Sequence, residues 1–336
     1  MKILLTGGAG YIGSHTAIST VAAGHEVEIL DNFANSSPIA VERASALCGT
    51  NITTHQVDLL DADAVNVVMA RGFDAVIHFA GLKAVAESVE HPLDYYHINI
   101  TATINLCRAM LRYSVHNLVF SSSATVYGDV QQVPIDESFA VADATNPYGR
   151  SKLFIERILE DVGIANPHLN IARLRYFNPA GAHESGSIGE DPTGIPANLV
   201  PYLCQFAVGR QNKLVVFGDD YSTADGTCIR DYIHVSDLAD GHVVALNKLM
   251  TNPGLVTYNL GSGTGTSVLE MIQTFEAANN LQLDYQMGER RAGDVPRTFT
   301  DPTKAEQELG WRARKSVFDI CQDAFRWQQH NPQGYK

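Results

Sequence analysis

The chain has few cysteines, few basic residues and no long apolar run. Its five cysteines are odd in number and include no C-x-x-C pair, which argues against a disulfide framework or a zinc cage. The 24 basic and 37 acidic residues give a net charge of −13, whereas nucleic acids and anionic membranes are bound through basic surfaces. No run approaches the roughly 18 apolar residues of a membrane-spanning helix, and the first residues lack a signal-peptide core. We therefore expect a cytoplasmic protein that contacts neither membrane nor nucleic acid.

Length and apolar patterning predict an α/β protein of two domains. At about 150 residues per domain, 336 residues are enough for two. Up to residue 175, short apolar runs alternate with helical patterns, which is typical of a Rossmann-type, doubly wound parallel sheet. Prolines and glycines from 179 to 201 indicate a smaller α+β substrate-binding domain, so we predict domains at 1–178 and 179–336, allowing one later segment to return to the first. The strands are predicted at 2–6, 26–30, 52–57, 75–79, 117–120 and 170–174, with helices at 11–23 and 62–69 among them.

A glycine-rich turn follows the first predicted strand and precedes the first predicted helix. Its sequence, Gly-Gly-Ala-Gly-Tyr-Ile-Gly at 7–13, satisfies G-x-G-x-x-G from Gly8. Glycines at such a turn let the backbone approach a pyrophosphate, whose charge lies on the free N–H groups of the helix. Asp31 ends the second strand, where a carboxylate binds the adenosine ribose hydroxyls and repels a 2′-phosphate. The pattern predicts NAD rather than NADP. Asp58 follows the third predicted strand, where it either contacts the adenine or caps a helix from Leu59 onward.

Three residue types suited to proton transfer lie around the fifth strand. Three serines end that strand at Ser123, and Tyr148 and Lys152 follow at the start of a helix that begins near Pro147. The i, i+4 spacing places Tyr148 and Lys152 on one helical face. An ammonium group and the nicotinamide charge near the phenol are expected to lower the pKa of Tyr148 toward neutrality, so that it serves as a base. Ser123 would then hydrogen-bond the reacting hydroxyl.

Together with these motifs, the chain resembles the extended short-chain dehydrogenase/reductases, and within them the UDP-hexose 4-epimerases. The resemblance implies an isomerase that interconverts UDP-galactose and UDP-glucose with tightly bound NAD, and it also implies a homodimer. In this scheme Tyr148 removes the O4 proton while hydride leaves C4 for NAD and later returns to the other face. Lys152 would hold the nicotinamide ribose and tune Tyr148. The similar segments are 7–15, 78–85, 121–128, 175–179, 189–192, 230–235, 258–261 and the tail at 327 and 332–335.

The same resemblance implies two sets of contacts. In the substrate set, Arg230 and Arg291 neutralise the pyrophosphate. Leu199 and Phe217 line the uracil pocket, and Asp294 binds the uridine ribose. Asn178 and Asn198 contact sugar or phosphate. The implied substrate contacts are Ser123, Tyr148, Asn178, Asn198, Leu199, Phe217, Arg230, Arg291, Asp294 and Thr298. The implied cofactor contacts are Gly7, Gly10, Tyr11, Ile12, Gly13, Asp31, Asn32, Asn35, Ser36, Asp58, Leu59, Phe79, Ala80, Gly81, Lys83, Asn99, Tyr148, Lys152 and Phe177.

Two positions depart from the family pattern. Thr298 is small where the resemblance leads us to expect tyrosine in enzymes confined to plain hexoses. We therefore expect the pocket also to admit UDP-N-acetylglucosamine and UDP-N-acetylgalactosamine, unless neighbouring residues close the space. Ile98 stands where some relatives carry asparagine, which leaves the adjacent Asn99 as the candidate cofactor contact.

Two other interpretations stay open at the level of sequence. The chain could be another sugar-nucleotide oxidoreductase or decarboxylase, or a non-catalytic dinucleotide sensor, because a fold does not fix a function. The intact Tyr148 and Lys152 argue against the sensor. A 4,6-dehydratase is disfavoured because Ala124 and Thr125 stand where such enzymes carry an Asp-Glu pair that could act as acid and base.

Some polar features are assigned structural roles. The glycine-rich stretch 261–267 resembles a phosphate loop, but Ser267 and Glu270 predict a helix capping box there. His234 and His242 lack the i, i+4 spacing of a zinc-binding helix, and no metal site is predicted. Asp231 either orients Arg230 or ends a turn.

Overall fold

Strands and helices alternate along the first half of the chain in the computed structural model, which describes residues 1–130, 132–141, 144–291 and 294–336. The strands are β1 Lys2–Thr6, β2 Glu26–Asp31, β3 Thr53–Gln56, β4 Ala75–His78, β5 Asn117–Ser123, β6 Asn170–Tyr176, β7 Asn178–Ala180, β8 Val215–Phe217, β9 Ile229–His234, β10 Leu255–Leu260, β11 Gly265–Ser267, β12 Gln286–Gly288 and β13 Arg297–Thr298. The helices are α1 Tyr11–Ala22, α2 Pro38–Cys48, α3 Ala62–Met69, α4 Val85–Glu90, α5 Pro92–Arg112, α6 Pro147–Ala165, α7 Leu199–Ala207, α8 Val235–Leu249, α9 Val268–Asn279, α10 Thr303–Leu309 and α11 Val317–His330. A short 3₁₀ helix occupies Ala124–Tyr127.

Seven parallel strands form the main sheet in the order β10-β6-β5-β4-β1-β2-β3. The order reverses between β1 and β4, so β1, β4 and β5 end side by side at the carboxyl edge, where α/β sheets bind ligands. This sheet confirms the predicted Rossmann-type fold. All six predicted strands are present, and β5 and β6 extend three and two residues beyond their predicted ends.

The central strands of the main sheet are buried on both faces, which explains why β1 and β4 are almost uninterrupted apolar runs, whereas the edge strand β3 is polar and only partly buried. Successive residues of β1 point to opposite faces, so Ile3 and Leu5 pack into one core and Leu4 into the other. The first core lies against α1, α2 and α8, and the second against α3, α5 and α6. The strand ends are therefore held rigidly, as a site built on them requires.

The second half of the chain forms the smaller sheets and also adds one strand to the main sheet. Strands β11, β9 and β13 form a small sheet in that order, and β7 pairs with β9. Strand β10 pairs with β6 at the edge of the main sheet. A separate core beneath α7, α9 and α11 supports the smaller unit. The division at residue 178 stays a prediction.

Two further observations concern the described residues alone. In that part of the chain, no helix is both long enough and apolar enough to cross a membrane. The five cysteines are free thiols.

Candidate active site

The glycine turn links β1 to α1 and admits no side chain at two of its positions. Gly7 has a positive φ of 69°, and a Cβ there would lie 2.6 Å from the amide nitrogen of Ala80. A Cβ on Gly13 would lie 2.6 Å from the carbonyl oxygen of Gly7. Among the described residues, no side chain caps α1 at Gly10. The N–H groups of its first turn are thus available to an anion, as the sequence predicts.

Asp31 ties the glycine turn to the loop after β2. The buried carboxylate accepts hydrogen bonds from Ala9 N (3.0 Å), Phe33 N (2.9 Å) and Ser36 Oγ (2.8 Å). A carboxylate next to the turn is positioned to accept hydrogen bonds from the ribose hydroxyls of a bound dinucleotide. Asn35 belongs to the same loop.

Asp58 lies next to Asn32 rather than at a helix end. Asn32 Nδ2 donates to Asp58 Oδ2 (3.0 Å), and Leu60 N donates to Asp58 Oδ1 (2.8 Å). Helix α3 begins at Ala62 and is capped by Asp61. The alternative that Asp58 caps a helix from Leu59 onward is therefore wrong, because the chain makes one further turn before the helix starts; Leu59 itself is buried.

The loop after β4 packs against the glycine turn. The amides of Phe79 and Ala80 both donate to Thr6 O, at 2.8 and 3.0 Å. Asn99 on α5 then fixes the loop, because its side chain accepts from Leu82 N (2.7 Å) and donates to Leu82 O (3.1 Å). It also donates to Ser151 Oγ on α6 (2.9 Å). Asn99 thus joins the predicted cofactor loop to the helix that carries Tyr148.

Several predicted cofactor contacts sit where the two halves of the chain meet. Tyr11 donates from its hydroxyl to Gly181 O (2.7 Å), and Lys83 Nζ lies 3.2 Å from Glu190 Oε1. Gly81 follows β4, and a Cβ there would lie 2.9 Å from Asn99 Oδ1. Two others are in the cores, where Ile12 packs beside β1 and Phe177 is buried below the 3₁₀ helix.

The predicted catalytic residues converge at the end of β5. Pro147 opens α6, and the side chain of Asn146 caps it by accepting from Gly149 N (2.9 Å). Tyr148 and Lys152 are one turn apart on this helix, as predicted. Lys152 Nζ donates to Ser121 O at 2.7 Å, which fixes the helix against the strand that ends in Ser123.

The predicted lowering of the Tyr148 pKa assumes the nicotinamide charge, and in the chain by itself the shift has the opposite direction. Burial raises the pKa of Tyr148, and a hydrogen bond with Ser123 opposes this only in part. The Lys152 ammonium is directed at a carbonyl oxygen. Burial lowers the pKa of Lys152 to about 8, against the opposing effect of Glu156. Sequence spacing gave the correct neighbours but not the desolvation of the phenol.

The small sheet and the segment before β13 contain five of the ten predicted substrate residues, and Ser123 and Tyr148 lie at the end of β5 and the start of α6. Asn178 on β7 is the Cα partner of Tyr232, and Thr298 on β13 is the partner of Arg230. Arg230 and Arg291 share one carboxylate, because Asp294 Oδ1 lies 3.4 Å from Arg230 Nη2 and 3.0 Å from Arg291 Nη2.

Three predicted substrate residues lie apart from this cluster. Asn198 precedes α7 and Leu199 opens it. Phe217 ends β8 and is 47% exposed. An exposed aromatic ring is available for stacking on a flat heterocycle.

Asp231 is a buried carboxylate whose role the sequence does not decide. Asp231 does not orient Arg230; it accepts from Ser262 N and Oγ (both 2.7 Å), Gly263 N (3.1 Å) and Thr300 N (3.1 Å). It therefore holds the glycine-rich stretch and β13 together. Because its partners lie about thirty and seventy residues downstream, no local pattern identifies them. The predicted capping box of Ser267 and Glu270 is confirmed.

The two singled-out histidines are buried and bonded within the protein. His234 Nε2 lies 3.2 Å from Asp323 Oδ2. His242 bonds through Nε2 to the Tyr176 hydroxyl and through Nδ1 to Leu238 O. In the described ranges, no cluster of three or more His, Cys, Asp or Glu side chains could hold a metal ion.

Comparison with known proteins gives consistent similarities over the whole chain. Residues 3–261 match the model of the NAD-dependent epimerase/dehydratase family. The UDP-glucose 4-epimerase of Bacillus subtilis is 54% identical over 337 residues, covering 100% of this chain and 99% of that protein. The UDP-glucose 4-epimerase of Bifidobacterium longum, solved with NAD+ and UDP, aligns with a TM-score of 0.96 and 47% identity over 99% of this chain and 100% of the other. The UDP-Glc/GlcNAc 4-epimerase of Campylobacter jejuni aligns with a TM-score of 0.85 and 38% identity over 98% and 99%.

Proposed function

The chain belongs to the NAD-dependent epimerase/dehydratase family, and we propose that it interconverts UDP-glucose and UDP-galactose by reversible oxidation at C4 of the sugar. The family assignment follows from the match over residues 3–261 and from the full-length similarity to UDP-glucose 4-epimerases. The enzyme is an isomerase. The observation that carries the proposed chemistry is the convergence of Tyr148 and Lys152, one turn apart on α6, on the strand end at Ser123.

NAD is the cofactor of the family, and the residues of this chain fit it. The turn at Gly7 and Gly13 is a cradle that a Cβ would fill, and the open first turn of α1 offers N–H donors to a pyrophosphate. We assign Asp31 to the adenosine ribose and Lys152 to the nicotinamide ribose. When bound, NAD supplies a reversible hydride acceptor at C4 and a positive charge beside Tyr148.

The chain's own chemical task is to move one proton at the sugar O4. We assign Tyr148 as the group that takes this proton and later returns it, with Ser123 hydrogen-bonding the same oxygen. Burial raises the pKa of Tyr148, so the empty protein keeps the phenol protonated. Ionisation therefore requires additional positive charge in the site, which ties the base to an occupied cofactor site.

We assign the Arg230, Asp294 and Arg291 cluster to UDP. Two guanidinium groups paired with one carboxylate provide forked donors for a diphosphate, and the carboxylate keeps both in place. In a chain of net charge −13, such a local concentration of positive charge is what an anionic substrate needs. Phe217 and Leu199 would face the uracil, and Asn178 and Asn198 the sugar or phosphate.

Proton NMR of the purified protein with UDP-galactose and no added NAD tests the proposal. We expect anomeric signals of UDP-glucose to grow to a constant ratio, and this conversion to be lost in Tyr148→Phe. Tyr113→Phe, on the far end of α5, is the matched control and should convert normally. No conversion in the wild type, even with NAD added, would refute the proposal. Stoichiometric build-up of reduced cofactor or loss of a carbon would instead support another sugar-nucleotide oxidoreductase or a decarboxylase.

The size of residue 298 leads us to propose a wider substrate range. Thr298 is a partly exposed residue of β13 beside Arg230. Similarity to a UDP-Glc/GlcNAc 4-epimerase supports this range. We expect turnover of the N-acetylated pair by the wild type, and selective loss of its kcat/KM in Thr298→Tyr while the plain hexoses are spared. Wild-type protein inactive on the acetylated pair would sink the idea.

We also propose a homodimer that forms through helices packed against the main sheet. Exposed apolar side chains lie on α4, α5 and α6, with Val89 63%, Leu93 80% and Phe154 45% exposed. Exposed apolar patches of this kind mark association surfaces. Light scattering should give a dimer mass for the wild type and for Val67→Glu, an exposed position on α3, but a monomer for Leu93→Glu. A monomeric wild type would contradict the proposal. The cytoplasmic location stays a prediction.

A further inference from the structure

A buried ionic cluster lies directly behind Lys152. Glu156 is 1% exposed, and its carboxylate accepts from Arg175 Nε (3.0 Å) and Arg175 Nη2 (2.6 Å). It also accepts from Ser122 Oγ (2.6 Å), and Arg173 Nη1 lies 3.8 Å away. A carboxylate so deeply buried is tolerated only when its oxygens are paired and bonded in this way.

The cluster is connected to the reaction centre through both the helix and the strand. Tyr148, Lys152 and Glu156 are spaced i, i+4 and i+8, so they lie along one face of α6. At the end of β5, Ser121 O accepts from Lys152 and the next side chain, Ser122, donates to Glu156. Two consecutive residues before Ser123 are thus bonded to two consecutive turns of the helix.

The cation of the cluster is itself fixed from the other side. Arg175 Nη1 donates to the Tyr127 hydroxyl (2.9 Å), which donates to Asn259 Oδ1 on β10 (2.7 Å). Burial raises the pKa of Glu156, but hydrogen bonding and the charge of Arg175 outweigh this and lower it. The carboxylate is therefore ionised at neutral pH.

The other groups facing Lys152 carry no negative charge at neutral pH. The ring of Phe120 lies 5.0 Å below Nζ. Burial, with a smaller effect of Lys152, lowers the pKa of His78 on β4 to about 3, which keeps it neutral. Burial raises the pKa of Tyr148 and of Tyr176 on β6. Glu156 is the anion that acts on Lys152.

We propose that Glu156 is a positioning residue for this reaction, whose carboxylate keeps the Lys152 ammonium charged and holds the strand end at Ser123 against α6 without touching substrate or cofactor. The kinetic part of this inference rests on the function proposed above. The part that concerns the charge state of Lys152 does not, because it can be measured on the protein itself.

The sign of the expected effect follows from the charges. Burial alone drives Lys152 toward its neutral form, and the carboxylate opposes this. Removing the negative charge lowers the pKa of Lys152, so the ammonium is lost at a lower pH. The alkaline limb of the kcat profile should move in the same direction, with about a tenfold loss of kcat on that limb per unit of displacement. KM for the UDP-sugar should stay unchanged.

Titration of Lys152 tests the inference directly. The protein is labelled with ¹³C at the lysine Cε positions, the Lys152 signal is assigned by its loss in Lys152→Met, and its shift is followed across pH. We expect a lower midpoint in Glu156→Gln than in the wild type, and a wild-type midpoint in Glu156→Asp, which keeps the charge. The kcat profiles of the same variants should follow these midpoints.

Two further variants separate charge from simple damage. Glu28→Gln removes another buried carboxylate with basic partners, on β2 and away from Lys152, and should leave the midpoint unchanged. If Glu156→Gln does not fold because Arg175 is left unpaired, the double variant with Arg175→Met removes both charges and should still lower the midpoint. An unchanged Lys152 midpoint in folded Glu156→Gln, or in the double variant if only that one folds, would overturn the inference, even if wild-type epimerisation is confirmed.

Discussion

Replacing Gly13 by alanine tests whether the turn between β1 and α1 is the cofactor cradle. The added Cβ would lie 2.6 Å from Gly7 O and 2.7 Å from Gly8 Cα. Ordinary contact begins at 3.4 Å, so turn and helix must separate by about 0.8 Å. Both opposing atoms belong to the backbone, so no side chain can rotate away to relieve the overlap.

The separation moves the first N–H groups of α1 from a pyrophosphate bound at the turn. Loss of one hydrogen bond to a charged group costs about 1.5–3 kcal/mol, which corresponds to about a ten- to hundredfold rise in the Kd for NAD. Helix propensity works the other way, since alanine is favoured over glycine by about 1 kcal/mol inside a helix. A loss of NAD from Gly13→Ala would therefore come from the clash.

The assay measures nucleotide released by acid from gel-filtered protein, together with calorimetric titration of NAD into stripped protein. Gly163→Ala on α6 is the matched control, because its Cβ would meet only Ile171 Cδ1 at 3.8 Å. The control should retain NAD as the wild type does. Retention of a full equivalent by Gly13→Ala, with a Kd within about threefold of wild type, would refute the assignment of the cradle.

Three other substitutions have expected outcomes. Burial raises the pKa of Glu28, but hydrogen bonds from Arg71 and two other basic side chains lower it to about 2. Because the folded pKa is depressed, this group stabilises the protein above the unfolded pKa near 4.5 and the contribution is lost as pH falls toward 2. Urea unfolding should show Glu28→Gln less stable by up to about 3 kcal/mol at pH 7, with a gap that closes on acidification; a constant gap would contradict this. Arg291→Ala should raise KM for UDP-galactose about tenfold or more with little change in kcat, and a kcat-only effect would remove it from the UDP site. Asn99→Ala leaves the N–H and C=O groups of Leu82 without their side-chain partner. We expect the variant to lose about 2–3 kcal/mol of stability and also to lose bound NAD. A loss of stability with full retention of NAD would make the role of Asn99 purely structural.

Local patterns predict six of the seven strands of the main sheet and place the candidate catalytic residues on one helix. Alternating apolar runs and helical segments identify β1 to β6, because the central strands are buried on both faces and the crossover helices have a helical period. The spacing of Tyr148 and Lys152 on one helix is likewise a local property. Glu156 continues the same spacing by one further helical turn, at i+8 from Tyr148, so its position on that face is also readable from the sequence.

The remaining parts of the site depend on contacts between distant segments. Asp231 meets Ser262 and Thr300, and Asn99 meets Leu82 and Ser151, through single hydrogen bonds that no periodicity encodes. Electrostatics is less accessible still, because the sign of the shift at Tyr148 depends on how deeply the phenol is buried. The predicted lowering depends on the charges of Lys152 and of a bound nicotinamide, whereas in the protein alone burial raises the pKa of Tyr148. For a site of this kind, residue spacing therefore identifies the candidate groups for proton transfer, whereas the packing around them determines their pKa values.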